Sequence, residues 1–73
     1  MKPIQFVWIV SLGDIGEAFD VWGVYSSLES AFAEVNTLQG VLPGKWTEDC
    51  AAENFYAWRM GTMGIHVKAH RIQ

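Results

Sequence analysis

The sequence predicts an α+β domain: an antiparallel sheet of about four strands in the order ββαββ, with one amphipathic helix packed on one face. Three observations predict it. Side chains alternate with a period of two through residues 3–12 and again through 65–72, the pattern of strands with two distinct faces. Between them Leu28, Ala31, Phe32, Val35 and Leu38 recur at steps of three and four residues, which draws one apolar stripe along a helix. Glycine-bearing segments at 13–17 and 61–64 separate apolar runs, as hairpin turns do.

Each element has a local reason. In residues 3–12, Ile4, Phe6, Trp8, Val10 and Leu12 share one side, and Gln5, Val7, Ile9 and Ser11 the other. The first side is wholly apolar and the second half apolar, which suits a central strand better than an edge. Gly13 to Glu17 reads as a turn, because its glycines allow positive φ and Asp14 can close an Asx turn. The second strand spans about Ala18 to Tyr25, antiparallel to the first across the short connection. Gly23 interrupts it, so either a bulge or a close approach of the helix backbone is expected there. Ser26 with Glu29 reads as a capping box opening the helix, and Gly40 as its C-terminal cap, with Pro43-Gly44 preventing resumption. Residues 45–54 read as a loop with a helical turn, capped by Thr47 and pinned by Trp46. Phe55–Met60 and Ile65–Ile72 form the closing hairpin, in which Ile65, Val67 and Ala69 face the core while His66, Lys68 and His70 face water.

With 73 residues, folding buries only about 60% of the unfolded surface, and the expectation is a single domain over 1–73. A dinucleotide-binding fold with its second half or a (β/α)8 barrel does not fit in that length. The 51% apolar, 18% charged composition is that of a folded chain. Ten aromatic residues are expected to supply most of its core. All eight acids fall within residues 14–53, whereas 54–73 carry Arg59, Lys68 and Arg71 and no acid. With a net charge of −3, no global field draws the chain to nucleic acid or to anionic membrane. The longest apolar run, Phe6–Val10, is five residues against the roughly 20 of a membrane span. One cysteine and no secretory leader point to the cytoplasm.

The residues that could carry chemistry point away from an enzyme. Glu48, Asp49 and Glu53 surround Cys50 and disfavour its thiolate, so it reads as a small buried apolar group. Asp14, Glu17 and Asp20 sit in a polar turn, where carboxylates ionise together rather than dividing acid and base roles. No phosphate-loop glycine pattern occurs. His66 and His70 on one strand lie about 13 Å apart, too far to chelate one ion. No metal and no cofactor is expected.

One helix of three turns leaves a face of a four-stranded sheet uncovered, and contiguous exposed apolar area marks an interface. The expected function is therefore a non-enzymatic protein-binding domain. It would meet its partner through the open sheet face, an edge strand or the acidic 48–53 segment. The candidate partner-binding residues are Trp46, Glu48, Asp49, Glu53, Tyr56 and Trp58. One alternative is a homodimer with sheets packed face to face. Another is single-stranded nucleic-acid binding through the basic C-terminal hairpin, although the acidic middle of the chain opposes a polyanion.

Three stretches together carry a resemblance: Phe-Val-Trp-Ile-Val-Ser-Leu-Gly-Asp (6–14), the Val-Trp-Gly-Val-Tyr-Ser-Ser junction (21–27) with Glu29 and Ala31 following, and Gly-Ile-His-Val-Lys-Ala-His-Arg-Ile (64–72). They resemble small uncharacterised α+β proteins of bacteriophages and bacteria, in which a hairpin, a capped helix and a final strand form one compact unit. The resemblance implies no catalytic residues. It implies an accessory protein, phage-encoded, that binds or inhibits a host protein.

Overall fold

A computed structural model describes residues 5–42 and 44–72; the expected strand start at Pro3 and Ile4, and Pro43, lie outside the described residues. The described residues form strands β1 (Gln5–Asp14) and β2 (Asp20–Tyr25), helix α1 (Leu28–Val41), and strands β3 (Thr47–Ala52), β4 (Phe55–Met60) and β5 (Met63–Ile72). The α+β class holds, but the sheet has five strands, in the order β2-β1-β5-β4-β3, with antiparallel neighbours throughout.

The additional strand is β3, where a loop with a helical turn was expected. Thr-Glu-Asp-Cys-Ala-Ala has low strand propensity, and what holds it extended is pairing with β4. An edge strand can be this polar because only one of its sides must match a neighbour. Its register slips between Glu48 and Cys50, so Asp49 occupies a bulge. Asn54, with φ 69, completes the Glu53-Asn54 turn into β4, a conformation that asparagine tolerates better than most residues.

β1 and β5 are the long central strands, paired from Gln5 with Ile72 to Asp14 with Met63. The β4–β5 turn is Gly61-Thr62, tighter than the 61–64 segment read from the sequence. Gly61 at φ 60 supplies the first central position of a two-residue hairpin turn. β2 starts at Asp20, later than expected, and slips register opposite Val10 and Ser11, leaving Trp22 as the extra residue. The expected bulge near Gly23 is therefore present. The close approach to Gly23 comes from the Tyr25 ring, whose hydroxyl lies 2.6 Å from where a Cβ would stand; the helix backbone is not its source.

The helix starts one residue later than the capping box predicted. Ser27 is the N-cap and accepts from the Ser30 amide at 3.1 Å, and the Ser27 hydroxyl also donates to the Ser30 hydroxyl. In a Ser-Ser pair either residue can cap, and the register that seats Leu28 and Ala31 on the sheet selects the second. Nor does Gly40 cap the C-terminus. The helix continues to Val41, and Leu42 closes it by donating its amide to the Leu38 carbonyl at 2.8 Å.

Val10, Val67 and Ile65 of the sheet and Ala31, Val35 and Leu38 of α1 form the buried nucleus. It is aliphatic, which corrects the expected aromatic core. Trp8, Tyr25, Phe32, Trp46, Tyr56 and Trp58 instead pack around it, each partly exposed. In a two-layer fold this thin, a large ring reaches from the nucleus to the surface and cannot be wholly enclosed.

Candidate functional site

Pleating and register sort every sheet residue onto one of two faces. Val10, Ile65 and Val67 place one face under α1. Trp58 lies opposite Ile65, and Tyr56 opposite Val67, so these two candidate aromatics belong to the helix-covered face. Phe32 of α1 meets both edge-on, with ring centroids 5.0 Å from Tyr56 and 5.7 Å from Trp58. Trp46 joins them from the α1–β3 connection, its indole N–H donating to the Leu42 carbonyl at 3.0 Å. These three rings hold the helix against the sheet.

The acidic candidates are exposed, and they diverge. Glu48 lies opposite Trp58 on the helix side, Asp49 sits in the β3 bulge, and Glu53 occupies the turn. Of the six residues singled out in the sequence, the register thus brings Glu48 beside Trp58 on the face that also holds Tyr56, while Asp49 and Glu53 stand apart in the bulge and the turn.

The other face has no helix. Near the β1–β2 turn it is closed by the connection itself, where Phe19 folds back over two glycines paired across the sheet, Gly13 and Gly64. A Cβ on Gly64 would stand 2.9 Å from the Phe19 ring, and one on Gly13 3.0 Å from Phe19. Ring and glycines therefore require each other. The Phe19 ring stacks on His66, with centroids 4.1 Å apart and planes 17° apart, and Phe55 meets the same imidazole edge-on at 5.1 Å. His66 was expected to face water and is instead half-buried between two rings.

That enclosure has an electrostatic consequence. Burial disfavours the imidazolium and pulls the His66 pKa below 6.5, while the Asp49 carboxylate opposes the shift in part. A base whose pKa is lower folded than unfolded binds fewer protons in the native state, so its contribution to stability is complete above about pH 6.5 and declines as pH falls through that value. Urea midpoints at pH 7.5 and 5.5 should therefore differ more for the wild type than for His66→Gln, with the wild type losing stability on the acid side. Equal differences would show that His66 is not desolvated.

Ser11, His66, Ala57 and Cys50 lie in one row across this face. The side-chain hydrogen bonds among the described residues are those of Ser27, Ser30, Thr37 and Trp46, and none joins Ser11, His66 and Asp49 into a relay. Among the described residues no cluster of three or more His, Cys, Asp or Glu is placed to hold a metal, and no helix is long and apolar enough to cross a membrane.

Away from the Phe19 cover the face is bare. Val24 pairs with Ile9 and Val21 with Ser11, which puts both valines on it beside Val7 and Ile9. On edge strand β2, Val21 is 64% exposed, Trp22 54% and Val24 57%. The sequence places these residues in a strand and marks no site there. The signal was present in Val-Trp-Gly-Val, an apolar run without alternation at a sheet position with no neighbour on one side.

Comparison of the chain with protein-family models, with curated proteins and with solved structures gave no match.

Proposed function

We propose that this chain is a non-enzymatic protein-binding domain that works through the uncovered sheet face at its β2 side. The observation that carries the reading is the exposure of Val21, Trp22 and Val24 along one edge strand, continuous with Val7 and Ile9. Exposed apolar area of this kind is the ordinary mark of an interface. The resemblance in residues 6–14, 21–27 and 64–72 adds the proposal of a phage-encoded accessory protein whose partner is a host protein.

The test compares tagged wild type, Val24→Arg and the double variant Glu48→Lys with Asp49→Lys as baits in lysate of the source or host organism. The expected result is one stoichiometric protein that survives nuclease treatment, is held by the wild type and by the lysine variant, and is lost from Val24→Arg. All three baits should retain the same circular dichroism, because each changed side chain is on the surface. Retention by Val24→Arg with loss from the lysine variant would move the site to the acidic β3 edge. Recovery of this chain alone, with a light-scattering mass about twice 8.2 kDa, would replace the reading with the homodimer.

A further inference from the structure

We infer that the partner presents an acidic amphipathic helix to the bare face, its apolar side on the β1–β2 strip and its carboxylates toward β5. The inference rests on the protein-binding reading above and adds the chemistry of the partner.

The register divides the sheet's charges unevenly between its two faces, with Arg71, paired to Phe6, the cation on the helix-covered side. Asp14 lies opposite Met63, Asp20 opposite Leu12 and Glu48 opposite Trp58, so these three acids belong to the helix-covered face. Glu29 and Glu34 are on α1, and Glu17 and Glu53 are in turns. Asp49 is confined to the bulge of β3, at the opposite edge of the sheet from β2. On the uncovered face, Lys68 pairs with Ile9 and with Phe55, His70 with Val7, and Arg59 with Gly64. All three basic side chains are exposed. From β2 to β4 this face therefore carries the Lys68 and Arg59 cations with the His70 imidazole and no carboxylate, Asp49 acting on His66 from β3, in a chain whose net charge is −3.

Spacing shows what such a face can hold. Val24, Ile9 and Lys68 form one row across β2, β1 and β5, at about 4.8 Å per strand. The apolar strip is two strands wide, on the order of 10 Å, which is the width of one helix. A helix seated there would have one flank over Lys68 and His70. Covering the Lys68 stem with apolar surface leaves its ammonium in need of an anion. Glu or Asp on that flank supplies one, and Lys or Arg would place like charges together.

The same arrangement weighs against the other occupants. A second copy packed face to face about a two-fold axis running across the strands would set the Lys68 row against its own image. Nucleic-acid stacking needs free rings, yet Phe19 and Phe55 are engaged with His66, and the bare strip is aliphatic apart from Trp22 at the edge. A bilayer would be met by a patch only one helix wide.

Selection of random helical peptides displayed against the wild-type domain tests the inference. The enriched peptides should combine apolar residues at helical spacing with an acidic flank. As synthetic peptides they should bind about tenfold more weakly to Lys68→Glu and lose detectable binding to Val24→Arg. Raising salt from about 50 to about 500 mM should also weaken them. Lys68→Gln, which removes the charge with little change of shape, guards against a folding defect in Lys68→Glu and should show an intermediate loss. Enriched peptides that are basic or neutral but still lost with Val24→Arg would overturn the acidic assignment and leave the protein-binding reading standing. No enrichment, or enriched peptides indifferent to Val24→Arg, would overturn both. So would Val24-dependent binding to phosphatidylglycerol vesicles or to a thymidine oligonucleotide in the absence of any enriched peptide.

Discussion

Truncating Ile65 to Ala should cost about 4 kcal/mol of folding free energy, read as a fall in the urea midpoint at constant slope. Ile65 is fully enclosed, with 0% of its surface exposed. It lies between Leu12 of β1 and Trp58 of β4 in the layer covered by α1. Loss of its side chain removes apolar transfer energy and opens a cavity at the junction of three elements, where the surrounding strands are hydrogen-bonded and cannot collapse inward. A domain of this length has a total stability of roughly 4 to 11 kcal/mol, so the variant should be largely unfolded or close to it. Ile65→Val, which removes one methyl group, should lose only about 1 kcal/mol. A loss below about 1 kcal/mol for the alanine variant would show that Ile65 does not stand in a closed core.

The second large effect is expected at Phe32, where alanine should cost about 3 kcal/mol. That is the lower end of the usual range, because the ring is only half-buried. Part of the loss is the edge-on contact with Tyr56 and Trp58, worth about 1 kcal/mol beyond area for such a pair. Near-ultraviolet circular dichroism should weaken together with stability as those rings lose their fixed seat, while Phe32→Leu should recover much of the loss. The variant also distinguishes two roles for Tyr56 and Trp58. If they pack the helix, the folded fraction of Phe32→Ala should capture partner as well as the wild type does. If they bind the partner directly, capture per folded molecule should fall.

What could be read without the structure was whatever repeats over a short stretch of chain. The period of two in Gln5–Leu12 and in Ile65–Ile72 marked the two central strands, and Leu28, Ala31, Phe32, Val35 and Leu38 marked the helix face, because each pattern is imposed by backbone geometry within its own element. The Ser26–Glu29 spacing put the cap one residue too early, and the docking of α1 placed it at Ser27. Gly40 stayed in the helix because packing of Leu38 and its neighbours extended the last turn past it.

The candidate surface was less legible, for a physical reason that its residues share. Trp46, Tyr56 and Trp58 look the same in a sequence whether they cover a helix or await a partner, and only the position of Phe32 decides which. Phe19 carries no sign of its role in its own segment; the sign lies in Gly13 and Gly64, far apart in sequence and made adjacent by pairing.

The sequence by itself determined the α+β class, the amphipathic helix, the two hairpins and the sign change in charge along the chain, all of which are properties of neighbouring residues. Only the tertiary structure decided that Thr47–Ala52 is a strand, that β1 lies beside β5, and that Asp14, Asp20 and Glu48 fall on one face of the sheet while Arg59, Lys68 and His70 fall on the other. Those outcomes depend on register between distant segments, where a shift of one residue sends every side chain to the other face.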